Sequence, residues 1–494
     1  METFLKLWER IPLYPEYKQK GWTADKDTSV PFLPLSIAFG LFIFIIERWL
    51  DLRQLARYRN KNAKVPDPRI SSDVFVKSLE YGKDKISFGI FKELVGFALG
   101  IAMLVYGYLP YVWDVSVSAY EGLLVLSPWF ASFKGWAQTE EWTKTVIFVF
   151  MLALQNTLTD APFNLYYTFV IEAKHGFKTE SQTLPLFFKD IVLQLVLTLV
   201  FGSPCICVVI SLARVGGPYY YVYVCAFLFA FSIFMMTIWP EYVAPLFNTF
   251  LPLKEGALKT KIEALACRDD VKFPLTKLFV VDGSKRSSHS NAYFYGFGKN
   301  KRIVLFDTLL KDVDKEGMFP AVAAQGGGKK GKGLDHDEIL AVLGHEIGHW
   351  AMWHTIQGFV IGQLYTFALF ATFAYVKNNS ALFSAFGFAY ETIGLTDPNP
   401  MFIALTLFTS TYWTPVDKVL TFLVNVNSRR NEFAADQYGA KLGYAKQLAS
   451  GLIKLQIENK GNMVPDRLYS IYHFSHPPLV ERLEPLEKAG KKST

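Results

Sequence analysis

Residues 335–354 read DHDEILAVLGHEIGHWAMWH and predict one helix that begins beside Asp335 and carries His345-Glu-x-x-His349. Asp335 and Glu338 have the spacing of a capping box, and an apolar run follows them. A spacing of four puts both imidazoles on one helix face, about 5 to 6 Å apart, where one tetrahedral metal ion fits between them. Glu346 suits a general base that acts on a metal-bound water. The competing interpretation is a helix with two surface histidines.

A third metal ligand is predicted far along the chain, at Glu432. Glu432 and Asp436 share a helix face, so Glu432 completes a two-His, one-Glu site for one Zn²⁺ per chain, and Asp436 accepts a hydrogen bond from a ligand imidazole. Alternatively, both acids pair with Arg429, Arg430 or Lys441 on a solvated face. No nucleotide or organic cofactor is predicted.

The composition around this helix is that of a membrane protein. Hydrophobic residues make up 51% of the chain and charged residues only 19%, and the apolar residues gather into stretches of about 20, the length that spans a bilayer as a helix. The sequence therefore predicts a mostly α, polytopic membrane protein with seven spans, at 31–50, 94–113, 146–171, 191–213, 219–239, 355–376 and 401–426.

The net charge of +7 indicates the orientation of the spans in the membrane rather than a nucleic-acid partner, because the basic residues are unevenly distributed among the connections. Basic residues concentrate in the connection after the first span, whereas the connections after the second and sixth spans contain few. By the positive-inside rule, the first connection is cytosolic and the N-terminus is lumenal. Seven spans then put the C-terminus in the cytosol, together with the segment between the fifth and sixth spans, which carries the two histidines.

Four regions follow from this pattern. Spans one to five with their loops occupy 1–240, a soluble zinc segment with strands at 278–281, 291–296 and 302–306 occupies 241–354, the last two spans occupy 355–427, and a helical C-terminal segment with the third ligand occupies 428–494. The Gly- and Lys-rich stretch 315–333 is predicted to be a flexible loop. Its glycines lack the spacing of a phosphate-binding loop.

Taken together, these features resemble the type-1 CaaX prenyl proteases, which are integral-membrane zinc metalloproteases. The resemblance covers nearly the whole chain, although the stretch before Asp335 is longer than expected for the family. It rests on ERWLDLRQ at 47–54, DAPFN at 160–164, SSHSNAY at 287–293, HEIGHW at 345–350, EFAAD at 432–436 and SHPP at 475–478.

The resemblance implies seven long helices around a water-filled chamber, closed at the cytosolic end by the zinc domain. The implied substrates are prenylated CaaX proteins or peptides, which lose their last three residues, and some family members make a second, upstream cut. Charged residues in the predicted spans, namely Asp160, Asp417 and Lys418, fit a wet chamber or buried ion pairs equally well.

The resemblance also assigns further residues. Asn291, Ala292 and Tyr293 resemble an exposed edge strand that pairs with the substrate backbone, although an ordinary internal strand is also compatible. His476 and Arg482 resemble an active-site pair. His476 would stabilise the oxyanion, or else is only a turn histidine, and Arg482 would bind a carboxylate or orient Glu432.

The terminal Lys491-Lys492 pair resembles a retrieval signal of the endoplasmic reticulum, although such a tail is also common on solvated termini. We therefore expect a multi-pass protein of that membrane, with the inner nuclear membrane as a second location. Two other functions remain open. One is a quality-control zinc protease that acts on misfolded or stalled membrane chains, and the other is a zinc-binding membrane scaffold or transporter. Glu346 beside an open coordination position argues against the second.

Overall fold

A computed structural model describes residues 31–126, 139–296, 298–320, 333–388 and 400–492. Positions 321–332 of the predicted flexible loop lie outside the described residues. Within these ranges, six helical segments are long and apolar enough to cross a membrane: Phe32–Arg59, Ser72–Val105, Glu140–Glu172, Leu184–Val215, Gly217–Phe247 and His354–Val376.

The helices of the membrane part are mostly continuous, but several contain a π-helical turn. We number them α1 Phe32–Arg59, α2 Ser72–Val105, α3 Tyr108–Leu126, α4 Thr139–Tyr166 with a π segment Tyr167–Glu172, α5 Leu184–Leu197 with a π segment Thr198–Gly202, α6 Ser203–Val215, α7 Tyr220–Ile238 with a π segment Trp239–Val243, and α8 Ala244–Phe247.

The remaining helices belong to the zinc segment, the last two spans and the C-terminal segment. They are α9 Ala257–Cys267, α10 Asp312–Lys315, α11 His336–Ala351, α12 His354–Val376, α13 Ser380–Ala385, α14 Met401–Phe408 with a π segment Thr409–Trp413, α15 Thr414–Gly439, α16 Ala445–Glu458, α17 Arg467–His473 and α18 Leu479–Lys492.

The second predicted span, 94–113, was wrong as a single helix. The chain forms α2, which starts at Ser72, and then α3, which begins at Tyr108 after a turn at Gly107. Gly107 has a φ of 63°, a backbone conformation that glycine adopts without steric cost. The apolar stretch continues across this turn, so hydropathy alone could not locate the break.

The seventh predicted stretch, 401–426, is helical but is not among the six apolar spans. Its polar residues are paired with other helices. Lys418 forms an ion pair with Glu47 at 2.7 Å, and Asp417 accepts a hydrogen bond of 2.7 Å from Tyr365. Asp160 likewise pairs with Lys92 at 2.8 Å. All three charges singled out in the sequence therefore have partners.

A small mixed sheet lies beside the zinc helix. Its strands are β1 Phe250–Pro252, β2 Leu275–Val281, β3 Ala292–Tyr295 and β4 Lys301–Phe306. The strand order is β1-β2-β4-β3, with β2 and β4 parallel and the other pairs antiparallel. β3 is thus an edge strand among the described residues. The sequence predicted β2, β3 and β4 but missed the three-residue strand β1.

The zinc segment and the C-terminal segment share one hydrophobic core. The buried core combines Leu278 and Val280 of β2 with Ile339 of α11 and Leu448 of α16. Two glycines let the helices approach closely. A Cβ on Gly348 would lie 3.0 Å from Tyr438 Cβ, and one on Gly439 would lie 3.6 Å from the backbone nitrogen of His345. This packing brings α15 against the histidines of α11.

Candidate metal centre

The zinc helix α11 begins as its sequence predicts. The Glu338 carboxylate accepts a hydrogen bond of 2.8 Å from the backbone N–H of Asp335, which is one half of a capping box. The Asp335 carboxylate accepts hydrogen bonds from Lys311 and Lys454. Both lysines lower the pKa of Asp335 to about 2. The start of the helix is thereby fixed by charge as well as by its cap.

Three side chains from two helices converge on one point. The Nε2 atoms of His345 and His349 lie 3.2 Å apart. Glu432 places Oε2 at 3.6 Å from His345 Nε2 and Oε1 at 3.3 Å from His349 Nε2. Among the described residues, this trio is the group of His, Cys, Asp and Glu that could hold a metal ion.

These separations fit zinc. Ligand atoms about 2.0 to 2.1 Å from a tetrahedral ion lie about 3.4 Å from one another, close to the observed spacing. Glu432 is only 3% exposed, and its Oε2 has no hydrogen-bond donor in the described structure. A buried carboxylate oxygen without a donor is costly unless a cation neutralises it. The surrounding residues therefore fit a bound cation.

Glu432 is held in its ionised form. Burial opposes ionisation, but the neighbouring imidazoles outweigh that effect and keep the pKa of Glu432 below its ordinary value. Asp436, only 2% exposed, is also held below its ordinary pKa, because hydrogen bonds from Arg482 and His345 outweigh its burial. Neither acid pairs with Arg429, which instead contacts Glu481 at 2.7 Å.

Asp436 contacts the ring nitrogen of His345 that faces away from Glu432 and His349, and Arg482 in turn contacts Asp436. Asp436 Oδ1 lies 2.9 Å from His345 Nδ1. The Arg482 guanidinium donates to both oxygens of Asp436, from Nε at 2.8 Å and from the terminal nitrogen at 2.7 Å. Its other terminal nitrogen lies 3.5 Å from Glu432 Oε2. Two of the three guanidinium nitrogens of Arg482 therefore donate to Asp436.

His354 makes the corresponding contact with His349, and it was not predicted from the sequence. Their Nδ1 atoms lie 3.0 Å apart. Trp353, in the turn between α11 and α12, has a φ of 63°, and His354 follows it as the first residue of α12. Only the short interval between two helical patterns hinted at such a turn.

Glu346 and His476 border the same centre. Glu346 follows His345 on α11, and its burial raises its pKa. His476, in the turn before α18, has a side chain that is 68% exposed, with Nδ1 2.9 Å from Glu432 Oε2 but not in hydrogen-bonding alignment. The Glu432 carboxylate raises the pKa of His476. An exposed imidazole therefore lies beside Glu432.

The predicted substrate strand lies at the sheet edge. Ala292 and Tyr293 belong to β3, whereas Asn291 precedes the strand and is exposed. The Asn291 side chain accepts a hydrogen bond of 2.8 Å from the Ala292 N–H. β3 pairs with β4 on one side only, and it packs near α11.

Comparison with known proteins gives consistent matches along the chain. Residues 52–249 match a family model described as the CAAX prenyl protease N-terminal region with five membrane helices, and residues 252–489 match peptidase family M48. The chain is 42% identical to a "CAAX prenyl protease 1 homolog" of Oryza sativa, covering 94% of this chain and 99% of that protein. It is 40% identical to the homologue of that name from Homo sapiens, covering 91% and 94%.

The fold has a solved counterpart. The crystal structure of Ste24p from S. mikatae superposes with a TM-score of 0.78 at 35% identity, covering 94% of this chain and all of that one. The match extends over the membrane helices and the zinc segment together, so it includes their arrangement and not one part alone.

Proposed function

The chain belongs to the CAAX prenyl proteases of peptidase family M48, and on that premise we propose that His345, His349 and Glu432 hold one zinc ion. The protein is a zinc-dependent endopeptidase that removes the aaX tripeptide from prenylated CaaX proteins. The observation that supports the ligand assignment is the zinc-like spacing of the three ligand atoms, which converge beside a buried carboxylate.

The proposed chemistry assigns Glu346 to proton transfer. Zinc bound at this centre would lower the pKa of water and polarise the scissile carbonyl. Glu346, one residue beyond a ligand, accepts the proton of the attacking water and then delivers it to the leaving amine. Its partly enclosed position keeps the carboxylate near the reacting atoms and away from competing solvent.

His476 and Arg482 have different proposed roles. The protonated ring of His476, at the open side of the centre, donates to the oxyanion that develops on the scissile carbonyl. Arg482 acts as a positioning residue, because both of its hydrogen bonds to Asp436 fix the acceptor of His345 Nδ1. Asp436 and His354 in turn orient the two ligand imidazoles.

The substrate is proposed to bind as a strand. Asn291, Ala292 and Tyr293 offer backbone groups at the edge of the sheet, and a peptide that adds beside β3 gains main-chain hydrogen bonds without needing a particular side chain. This suits an enzyme that accepts variable residues after the prenylated cysteine. A second, upstream cleavage would use the same strand with the peptide in a shifted register.

The domain division and orientation remain proposals. Residues 1–240 and 355–427 would form the membrane part, and 241–354 with 428–494 the cytosolic zinc part. The basic connection between α1 and α2 supports a lumenal N-terminus and a cytosolic active site, and the Lys491-Lys492 pair supports residence in the endoplasmic reticulum, with the inner nuclear membrane as a second location. A cytosolic site would meet prenylated tails directly.

The proposed function is tested with Glu346→Gln. The amide is nearly isosteric but cannot accept the water proton, so zinc should stay near one per chain while cleavage of a farnesylated CaaX peptide falls about 100-fold or more. Mass spectrometry measures the released tripeptide. Glu484→Gln is the control, because Glu484 is an exposed partner of Lys488. Cleavage by Glu346→Gln at even a tenth of the wild-type rate would refute the base assignment.

A further inference from the structure

A cavity of about 790 Å³ lies between the sheet and the membrane helices that precede it. This volume falls in the range of roughly 300 to 1,000 Å³ that holds drug-sized ligands. Its walls come from α5 and α6, from α7 with the segment after it, and from the sheet. The lining residues include Thr198, Gly202, Phe231, Met235, Tyr293 and Phe306.

One face of the sheet forms the cavity wall. Phe250 of β1 pairs with Val281 of β2, and Val281 pairs with Phe306 of β4. Tyr293 of β3 pairs with Val304, two residues before Phe306. Paired residues, and residues two apart on one strand, point to the same face. All of these residues except Val304 line the cavity.

The opposite face points toward the zinc helix. Ala292 of β3 belongs to the core shared with α11. Phe294, two residues on, packs edge to face on Phe273, and Phe273 packs in the same way on Trp350 of α11. The edge strand β3 therefore separates two compartments, the apolar cavity on one side and the core around the metal helix on the other.

This division fixes where the side chains of a bound peptide would go. A peptide that pairs with β3 has alternate side chains on opposite faces of the sheet. A residue on the Tyr293 face would project into the cavity, while its two neighbours would project toward the zinc side. The prenylated cysteine directly precedes the scissile bond. Its lipid chain enters the cavity only if the cysteine side chain points to the Tyr293 face of the sheet, and not if it points to the opposite face.

Two π-helical turns of the membrane helices contribute residues to the cavity wall. Thr198–Gly202 lies within the fourth apolar span and Trp239–Val243 within the fifth, and residues of both turns line the cavity. A π turn inserts an extra residue and is often found at functional sites. Two such turns bordering one apolar cavity are a second observation, independent of the sheet, that points to a ligand.

Two arginines hold the sheet against these helices. Arg286 binds both carboxylate oxygens of Asp190 on α5 at 2.8 Å and donates to the Phe247 carbonyl at 2.8 Å. Arg302 of β4 pairs with Glu241 in the second π turn. These ties fix the spacing between sheet and helices, so the cavity is part of the folded architecture.

Two polar groups of the wall are already hydrogen-bonded. The Thr198 hydroxyl donates to the Gln194 carbonyl at 2.9 Å, and the Asn248 oxygen accepts from Arg286 at 2.6 Å. The space therefore presents mainly aromatic and aliphatic carbon to an occupant, which favours a hydrocarbon chain over a polar one.

We propose that this cavity holds the isoprenyl chain of the substrate while the peptide pairs with β3. The proposal rests on the proposed function and adds the place and the register of binding. Because part of the wall belongs to membrane helices, the chain would pass from the bilayer into the cavity without crossing water. The prenylated cysteine would then have its side chain on the Tyr293 face and its carbonyl beside the zinc centre.

The first test locates the lipid chain directly. A CaaX peptide with a photoreactive group at the end of its isoprenyl chain is bound to the full-length Glu346→Gln protein, irradiated and digested for mass spectrometry. Labels are expected on Phe231 and Met235. Labels on Phe88 and Phe163, which line a separate cavity of about 680 Å³ between α2 and α4, or on lipid-facing residues only, would overturn the proposal.

The second test narrows the cavity. A Cβ on Gly202 would meet only Thr198, at 3.9 Å, so Gly202→Leu fits the helix and fills space that the chain would occupy. We expect the ratio of kcat/KM for farnesylated over unmodified peptide to fall about tenfold, and to fall further for a geranylgeranylated peptide. Zinc content should not change.

Gly100→Leu is the matched control. Gly100 lies on α2, where an added Cβ meets nothing within 4 Å, so the same substitution should leave that ratio unchanged. An unchanged ratio in Gly202→Leu would overturn the proposal, and the labelling experiment decides if that variant does not fold. Failure of the wild-type protein to cleave the farnesylated peptide would instead contradict the proposed function, since labelling reads binding without turnover.

Discussion

Asp436→Asn is expected to weaken zinc binding without removing any ligand. The asparagine oxygen can still accept from His345 Nδ1, which lies 2.9 Å from Asp436, but the negative charge is lost. The amide nitrogen is also a donor, so it cannot accept one of the two hydrogen bonds that Arg482 now makes, at 2.7 and 2.8 Å. Arg482, with a side chain only 11% exposed, would keep its charge with a weaker partner.

The expected loss in zinc affinity is about 10 to 100-fold, the usual effect of removing a partner that orients a ligand imidazole. This corresponds to about 1.4 to 2.7 kcal/mol. Titration against a competing chelator measures the affinity, and cleavage at saturating zinc should recover most of the wild-type rate, because Glu346 and the three ligands are unchanged. Loss of activity that zinc cannot restore would point to a direct role of Asp436 in the reaction.

Asp466→Asn is the matched control for this prediction. Asp466 is also a buried aspartate held by an arginine through two hydrogen bonds, from Arg53 at 3.1 and 2.9 Å, but it caps α17 away from the ligands. It should lose a similar ion pair with no change in zinc affinity. If Asp436→Asn binds zinc as tightly as Asp466→Asn, the orienting role is refuted.

Three further predictions concern other parts of the chain. His354→Ala should lower zinc affinity about tenfold, and His354→Gln should restore part of it if the ring nitrogen acts by its contact with His349. Asp335→Asn should destabilise the protein at neutral pH in thermal unfolding. Because the folded pKa of Asp335 is lowered to about 2, this contribution is present above the unfolded pKa and is lost as pH falls from about 4 toward 2, where wild type and variant should converge. A glycosylation acceptor inserted on a flexible extension after Lys377 should be modified in the endoplasmic reticulum, while one inserted beside Lys299 should not. The natural acceptor sequence Asn378-Asn-Ser is removed in both proteins, so that only the inserted acceptor can be modified.

The residues that share one helix were predictable, because helical pitch alone sets their relation. His345, Glu346 and His349 needed only the spacing of four. The distant partner Glu432 required a second motif, and the sequence could not decide whether it faced solvent or the histidines. Packing decides it, through Gly348 and Gly439, which let α15 approach α11 closely.

Features that depend on a single backbone turn were not predictable. The break at Gly107 lies inside a continuous apolar stretch, and the contact of His354 depends on the positive φ of Trp353, which a bulky residue rarely adopts. The π turns at Thr198 and Trp239 leave the apolar pattern of their helices unchanged. The cavity that their residues line therefore had no signature in hydropathy.

The position of this cavity bears on how a prenyl group can contribute to catalysis. In water, burial of such a chain would drive binding strongly, but a chain that already lies in the bilayer gains little from moving between two apolar surroundings. Preference for prenylated substrates must then come from positioning. A prenyl chain held on the Tyr293 face decides which residues of the bound peptide point to that face of the sheet. This in turn decides which peptide carbonyl lies beside the zinc centre. Binding energy of this kind acts mainly in the transition state, so the prenyl group should raise kcat more than it lowers KM.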